Sequence, residues 1–210
     1  MASKHVVVVS AGLGQPSSTR LLADRLAEAT ARSMLAAGVP AEFEVVEVRD
    51  LAHEITDAML TGFAPEALAG VIDRVTRADG LIAVTPVFTA SYSGLFKSFF
   101  DVIDKDALAG TPVLVGATAG TARHSLVLDH ALRPLFSYLR SVVVPTSVFA
   151  ASEDWGAGDE TITGLPERVS RAAGEFADLV ATRSTERGDP FADVVPFAEQ
   201  LRRLAGDDPL

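Results

Sequence analysis

The sequence predicts an α/β protein: a doubly wound, five-stranded parallel sheet in the order 2-1-3-4-5. Two observations carry that prediction. Short apolar or β-branched runs alternate with helix-length segments, one βα unit about every 35–40 residues. The loops after the first, third and fourth runs are the ones rich in Gly, Ser and Thr. In this topology those loops surround the switch point, where ligands bind at the carboxyl ends of the strands. Right-handed crossovers put helices on both faces.

The elements follow in order. His5–Val9 is a β-branched run with the length of a buried strand. Ser10–Pro16 breaks every period, and Ser18–Ala37 reads as a helix stopped by Gly38 with Pro40 beyond. Ala41–Val48 is a second strand. Arg49–Pro65 carries mixed signals and is expected to be a long loop of the kind that often serves function. Pro65–Arg77 is a helix, and Asp79-Gly80 turns into a third strand, Leu81–Thr85. The loop Pro86–Ser93 leads into a helix over Gly94–Ile103 with Leu95, Phe99, Val102 and Ile103 on one face. Thr111–Thr118 is a fourth strand, Ala119–His124 a third loop, Ser125–Leu139 a helix and Ser141–Pro145 a fifth strand. Trp155–Gly158 reads as a surface turn and Asp159–Arg183 as a last helix, its regular part starting at Pro166. Residues 1–185 are expected to form one domain. Residues 186–210 form a C-terminal tail whose Phe191, Val194, Phe197, Leu201 and Leu204 either pack on a neighbouring subunit or fray.

Pro134 lies inside the helix Ser125–Leu139. It has no N–H to donate to the carbonyl of His130, and its ring clashes there, so a kink or π-bulge is expected near His130. A distortion of that kind is expected at a functional or subunit interface.

Composition narrows the chemistry. The 210 residues are 48% hydrophobic, ample for a core, and contain no cysteine. Disulfides, thiolate catalysis and Cys-ligated metals are therefore excluded, and redox chemistry would need a bound cofactor. A net charge of −10 with no Lys/Arg run argues against a nucleic-acid partner. Met1-Ala2-Ser3-Lys4 runs straight into the first strand, and no apolar run reaches the length of a membrane span. A soluble, cytoplasmic protein with no membrane partner is expected.

The loop after the first strand holds Gly12, Gly14 and Pro16, then Ser17, Ser18 and Thr19 at the start of a helix. A helix start leaves N–H groups unpaired and carries partial positive charge. Hydroxyls there either cap the helix or join those N–H groups in holding an anion. Gly12-Leu13-Gly14-Gln15-Pro16-Ser17 is a near miss for the dinucleotide fingerprint, with Ser17 at the third glycine, and no Gly-Lys-Ser/Thr follows for a P-loop. A flavin mononucleotide cradle, in which hydroxyls and amides wrap one terminal phosphate, suits it better. Pro86–Ser91 is small and apolar, and it offers backbone polar groups beside apolar surface, as a flat heteroaromatic ring requires. Phe88 is placed either on such a ring or in ordinary packing, as is Tyr92. Ala119-Gly120-Thr121 lets backbone approach the same ring. His124 either contacts the cofactor or incoming nucleotide, or caps the following helix. Arg123 and the Arg49–Pro65 segment are further candidates for the nucleotide side. His130 has no partner at metal-ligand spacing, and no G-x-S-x-G elbow occurs, so neither a metal site nor a catalytic triad is expected.

Three motifs, SAGLGQPSST, TPVFTASYSGLFKSFFD and ATAGTARHSLVLDHALRPLF, resemble the NAD(P)H-dependent FMN reductases of the flavodoxin-like superfamily. The likeness is strongest to the reductase components of two-component flavin monooxygenases. It spans residues 4 to about 150; the most specific motif is the second, P-x-(aromatic)-x-x-S-x-x-G-x-x-K. The resemblance implies FMN and NAD(P)H as cofactors, hydride transfer on the cofactor and no dedicated catalytic side chain. It assigns Ser10, Gly12, Gln15, Ser17, Ser18 and Thr19 to the phosphate and ribityl end. Pro86, Val87, Phe88, Thr89 and Ser91 fall along the isoalloxazine, and Thr118, Ala119, Gly120 and His124 beside the ring and nicotinamide. Relatives often carry Arg where this chain has Gln15. The resemblance also implies a homodimer or homotetramer and a partner monooxygenase. The alternatives are a bound-FMN quinone or azo reductase and a flavodoxin-like electron carrier.

Overall fold

The computed structural model describes residues 3–155 and 164–183. The expected tail 186–210 and the Gly156–Gly158 part of the surface turn lie outside them.

The central strand β1 (Lys4–Ser10) pairs in parallel with β2 (Ala41–Glu47) on one side and β3 (Gly80–Phe88) on the other. Next to β3 lies β5 (Pro112–Ala119), and beyond it β6 (Val142–Val143) and β7 (Val148–Ala151), both pairing with β5. The order β2-β1-β3-β5-β6 is the expected 2-1-3-4-5 topology, with the fifth strand split in two. The split follows from Pro145, which has no N–H for a ladder. Arg133 fills the gap: its Nη1 donates to Val144 O at 3.3 Å, and Nη2 donates to Pro145 O at 3.1 Å and Ser147 Oγ at 3.2 Å.

Alternation sorts the side chains of β1. Val7 and Val9 join the layer with Phe96, Phe99, Phe100 and Phe136; Val6 and Val8 join the layer with Leu22, Leu26 and Phe176. All four valines are fully buried, as expected of a parallel strand covered on both faces. The first layer is closed by α3 (Glu66–Arg77), α4 (Gly94–Asp101) and α5 (Arg133–Tyr138), the second by α1 (Ser18–Ala36) and α6 (Leu165–Thr182). At Gly80 a Cβ would sit 2.6 Å from Val180 Cγ2 and 2.7 Å from Phe176 Cζ, so α6 packs directly on the start of β3.

Three expectations are corrected. Arg49–Pro65 is not a long loop: a 3-10 turn, Val48–Leu51, leads into α2 (Ala52–Thr61). Buried Ile55 and Ala58 anchor α2, and Gly62 at φ +78° ends it by donating its N–H to Ala58 O at 2.9 Å. Pro86–Ser93 is not open loop either. The strand β3 continues to Phe88 and returns antiparallel as β4 (Ser91–Tyr92), with Val87 opposite Tyr92. The predicted helix Ser125–Leu139 is interrupted: a 3-10 turn, Ala122–His124, and a π-helical segment, Leu128–Leu132, precede α5. The π segment sits where Pro134 required a distortion, with Arg133 N–H bonding back to Leu128 O.

Candidate functional site

Ser10, Pro86 and Thr118 stand at neighbouring carboxyl ends of the sheet. Ser10 pairs with Val84 across β1–β3, and Pro86 pairs with Thr118 across β3–β5. The turn after β1 is tied to the sheet by Ala11 N–H to Val84 O at 3.0 Å. Ser17 caps α1, its Oγ accepting from Arg20 N–H at 3.2 Å. The space beside Gly12 is filled by that cap: a Cβ there would meet Ser17 Oγ at 2.1 Å and Thr19 Cβ at 3.1 Å. Thr19 and Thr118, both buried, share a hydrogen bond of 2.8 Å between their hydroxyls. This bond joins the first loop to the end of β5. Two hydroxyls carry two O–H donors, and the shared bond uses one of them.

The Ser10 hydroxyl is fully buried and has no hydrogen-bond partner. A buried unpaired hydroxyl costs about 1–3 kcal/mol, a penalty that native structures rarely leave uncompensated. Ser18 is the first helical residue of α1 and is exposed. Gln15, on the exposed arm of the loop, faces the guanidinium of Arg49.

The hairpin of β3 and β4 closes over a two-residue turn, Thr89 at φ +49° and Ala90 at φ +68°. Such turns need positive φ at both positions and favour Asn-Gly, so a β-branched Thr followed by Ala holds strain there. The hairpin's base is braced by buried Thr85, which donates to Pro86 O at 2.9 Å and accepts from Ser93 N–H at 3.0 Å. Sequence reasoning passed over both residues because a Thr and a Ser at strand and helix ends read as ordinary. Of the two aromatics in question, Phe88 is 47% exposed at the end of β3. Tyr92 instead packs on Phe96, ring centroids 6.0 Å apart.

On the β5 side, Ala119 pairs with Ala151, and a Cβ on Gly120 would meet nothing within 4 Å. His124 is exposed in the 3-10 turn. Thr121 caps that turn, its Oγ1 accepting from Arg123 N–H at 3.3 Å, and the π segment that follows has Val127 at its N-cap and no side-chain cap, so His124 caps neither. Along α4 a cleft lined by Tyr92, Lys97, Asp101, His130, Pro134 and Tyr138 runs from the hairpin to the π segment.

Among basic side chains near the first loop, Arg20 is committed elsewhere. Asp24 accepts from its Nε at 2.7 Å and Glu47 from its Nη1 at 2.9 Å. Those bonds, Asp24's first, raise its pKa above the ordinary arginine value.

The family model described as NADPH-dependent FMN reductase matches residues 5–156, well over half of the chain. An FMN reductase (NADPH) of Pseudomonas aeruginosa is 39% identical over 179 residues, covering 85% of this chain and 94% of the relative. The NADH-dependent FMN reductase SfnF of Pseudomonas fluorescens is 38% identical over 177 residues, 84% of this chain and 92% of that protein. Among solved structures, an oxidoreductase from Corynebacterium diphtheriae superposes with TM-score 0.83 at 48% identity over 87% of this chain and 99% of that one. The apo form of the NADH:FMN oxidoreductase EmoB gives 0.68 at 28% identity, covering 88% of this chain and 92% of that chain. A matched span that runs from β1 through the loop after it, the hairpin and the β5 loop, with relatives aligned over most of their length, places this chain in the NADPH-dependent FMN reductase family.

Proposed function

We propose that this protein reduces FMN with a nicotinamide nucleotide and passes the reduced flavin to a partner monooxygenase. The observation that carries the reading is the family match over residues 5–156, and the buried, unpaired Ser10 hydroxyl at the carboxyl end of β1, in the loop segment leading to α1, supports it. A phosphate would supply the missing partner there. The residues fit that group. Ser17, Ser18 and Thr19 stand at the helix start, Gly12 lets the Ser17 cap pack against the loop, and the Thr19–Thr118 pair has an O–H to spare.

FMN held here would supply the chemistry, hydride acceptance from a nicotinamide. The chain positions and shields. Pro86, Val87, Phe88, Thr89 and Ser91 present the hairpin to the ring, held rigid by the Thr85 brace. Thr118, Ala119 and Gly120 would border the ring from the β5 side, where the space beside Gly120 is open. His124 and Arg123, on the exposed turn beyond, would face the incoming nucleotide. No side chain has to move a proton for hydride transfer. Relatives are named for NADPH and for NADH, so both nucleotides are candidate donors.

The homo-oligomer expected for this chain is proposed to form through α4 and α5, where the π segment and its cleft are found. Residues 1–185 are proposed as the flavin domain and 186–210 as a tail. A cytoplasmic location is proposed; no single helix among the described residues is long and apolar enough to cross a membrane.

The test is FMN titration at constant NADPH, then NADH, following loss of the reduced-nicotinamide absorbance. Saturable, FMN-dependent turnover by a protein that purifies with little flavin is the expected result. A yellow protein whose rate ignores added FMN but responds to quinone would replace this reading with a bound-flavin reductase. Absence of turnover with either nucleotide would refute it.

A further inference from the structure

The segment Ser10–Thr19 contains no lysine or arginine, although a phosphate cradle is to be held there. The structure brings a cation to it from another element. Arg49 lies in the 3-10 turn at the carboxyl end of β2, one strand over from β1. Its Nη1 donates to Gly14 O at 3.3 Å. With the Gln15 carboxamide oxygen turned toward it, Gln15 accepts from Nη1 at 3.1 Å and also from Nη2. Both acceptors are neutral. The nearest carboxylate, Asp50, is 3.5 Å from Nε and 69% exposed, whereas the Arg49 side chain is only 24% exposed. Arg49 Nε itself is buried without a hydrogen-bond partner. Arg49 thus has one ion-pair partner, the largely exposed Asp50, while its closer acceptors on the loop are neutral, so a bound anion would add to its compensation.

We propose that Arg49 is the positioning and charge-supplying residue of the phosphate end. It clamps the Gly14–Gln15 arm so that the loop's shape survives without ligand, and it lends the cradle the positive charge its own segment lacks. This rests on the reading of the site as a flavin phosphate cradle. Gln15 is then the handle that Arg49 grips, and the charge enters from the turn after β2.

The experiment compares FMN with riboflavin, which carries the same ring without the phosphate, by flavin-fluorescence titration of the full chain. Arg49→Met is expected to weaken FMN about tenfold, as for loss of one charge-assisted contact, and to change riboflavin by less than about twofold. Arg49→Lys is expected to fall between, about threefold weaker for FMN. Should Arg49→Met fail to fold, Arg49→Gln keeps a donor for Gly14 while removing the charge and is read in the same way. Equal weakening of both flavins means a merely structural role and overturns the proposal, as does no change in either. A lysine variant as weak as methionine overturns the charge argument. Wild-type protein that binds neither flavin overturns the cradle itself, and with it this inference; wild-type binding without an Arg49 effect overturns the inference alone.

Discussion

The Thr19–Thr118 hydrogen bond offers a quantitative check on how the cradle is held. Both hydroxyls are buried, at 2% and 3% exposure, 2.8 Å apart. Thr19→Val replaces one hydroxyl by a methyl of nearly the same volume and leaves the Thr118 hydroxyl buried without its partner. Stranding a buried hydroxyl costs about 1–3 kcal/mol, and the reverse substitution, Thr118→Val, should cost about the same. Removing both strands neither, so Thr19→Val/Thr118→Val should lie within about 1 kcal/mol of wild type. The double variant should then fall short of the summed single costs by at least about 1 kcal/mol, a coupling in the range of directly contacting residues. The assay is urea unfolding of flavin-free protein, which keeps ligand linkage out of the comparison. With a slope of about 2 kcal/mol/M, each single variant should lower the midpoint by about 0.5–1.5 M and the double variant by less than about 0.5 M. Additive losses, or a double variant weaker than either single, would show that each hydroxyl has another essential partner and would refute the argument. The double variant should also bind FMN less tightly than wild type despite its recovered stability, because the spare O–H is gone.

Three further predictions follow from the same geometry. Gly12→Ala drives a methyl into Ser17 Oγ and Thr19 Cβ, so the Ser17 cap must be displaced; thermal unfolding should show a loss of about 1–2 kcal/mol, and unchanged stability would mean the cap is not where it is placed. Replacing Thr89-Ala90 by Asn-Gly relieves two positive-φ positions; a gain of about 1–3 kcal/mol, or about 3–10 °C in Tm, is expected, and a fall would deny the strain. Gly80→Ala presses a Cβ onto Val180 and Phe176 of α6; a loss of about 1–3 kcal/mol in urea is expected, whereas a neutral result would show that α6 can slide.

Much of the fold was legible because its signals are local. The valines of β1 and the Gly38 stop act within a few residues of chain. The π segment was legible for the same reason: Pro134 denies a hydrogen bond four residues back, whatever lies around it. The misreadings came where distant contacts decide. Ile55 and Ala58 are too few to announce a helix, yet α2 forms because they bury against the layer under α4. Pro86–Phe88 has the composition of a loop, and it continues as strand because β5 lies alongside to Pro86 and β4 folds back on Val87 and Phe88.

At the site, the chain alone determined that small and hydroxyl-bearing residues follow the first, third and fourth parallel strands, and topology then requires those loops to meet. It also determined that the first loop carries no cation of its own. Only the tertiary structure decided that the Ser10 hydroxyl is left without a partner, that Thr19 is bonded to a residue 99 positions away, and that a guanidinium arrives from β2. Hydrogen bonds and charge compensation between distant segments depend on ångström-scale placement, which packing sets and residue spacing along the chain does not encode.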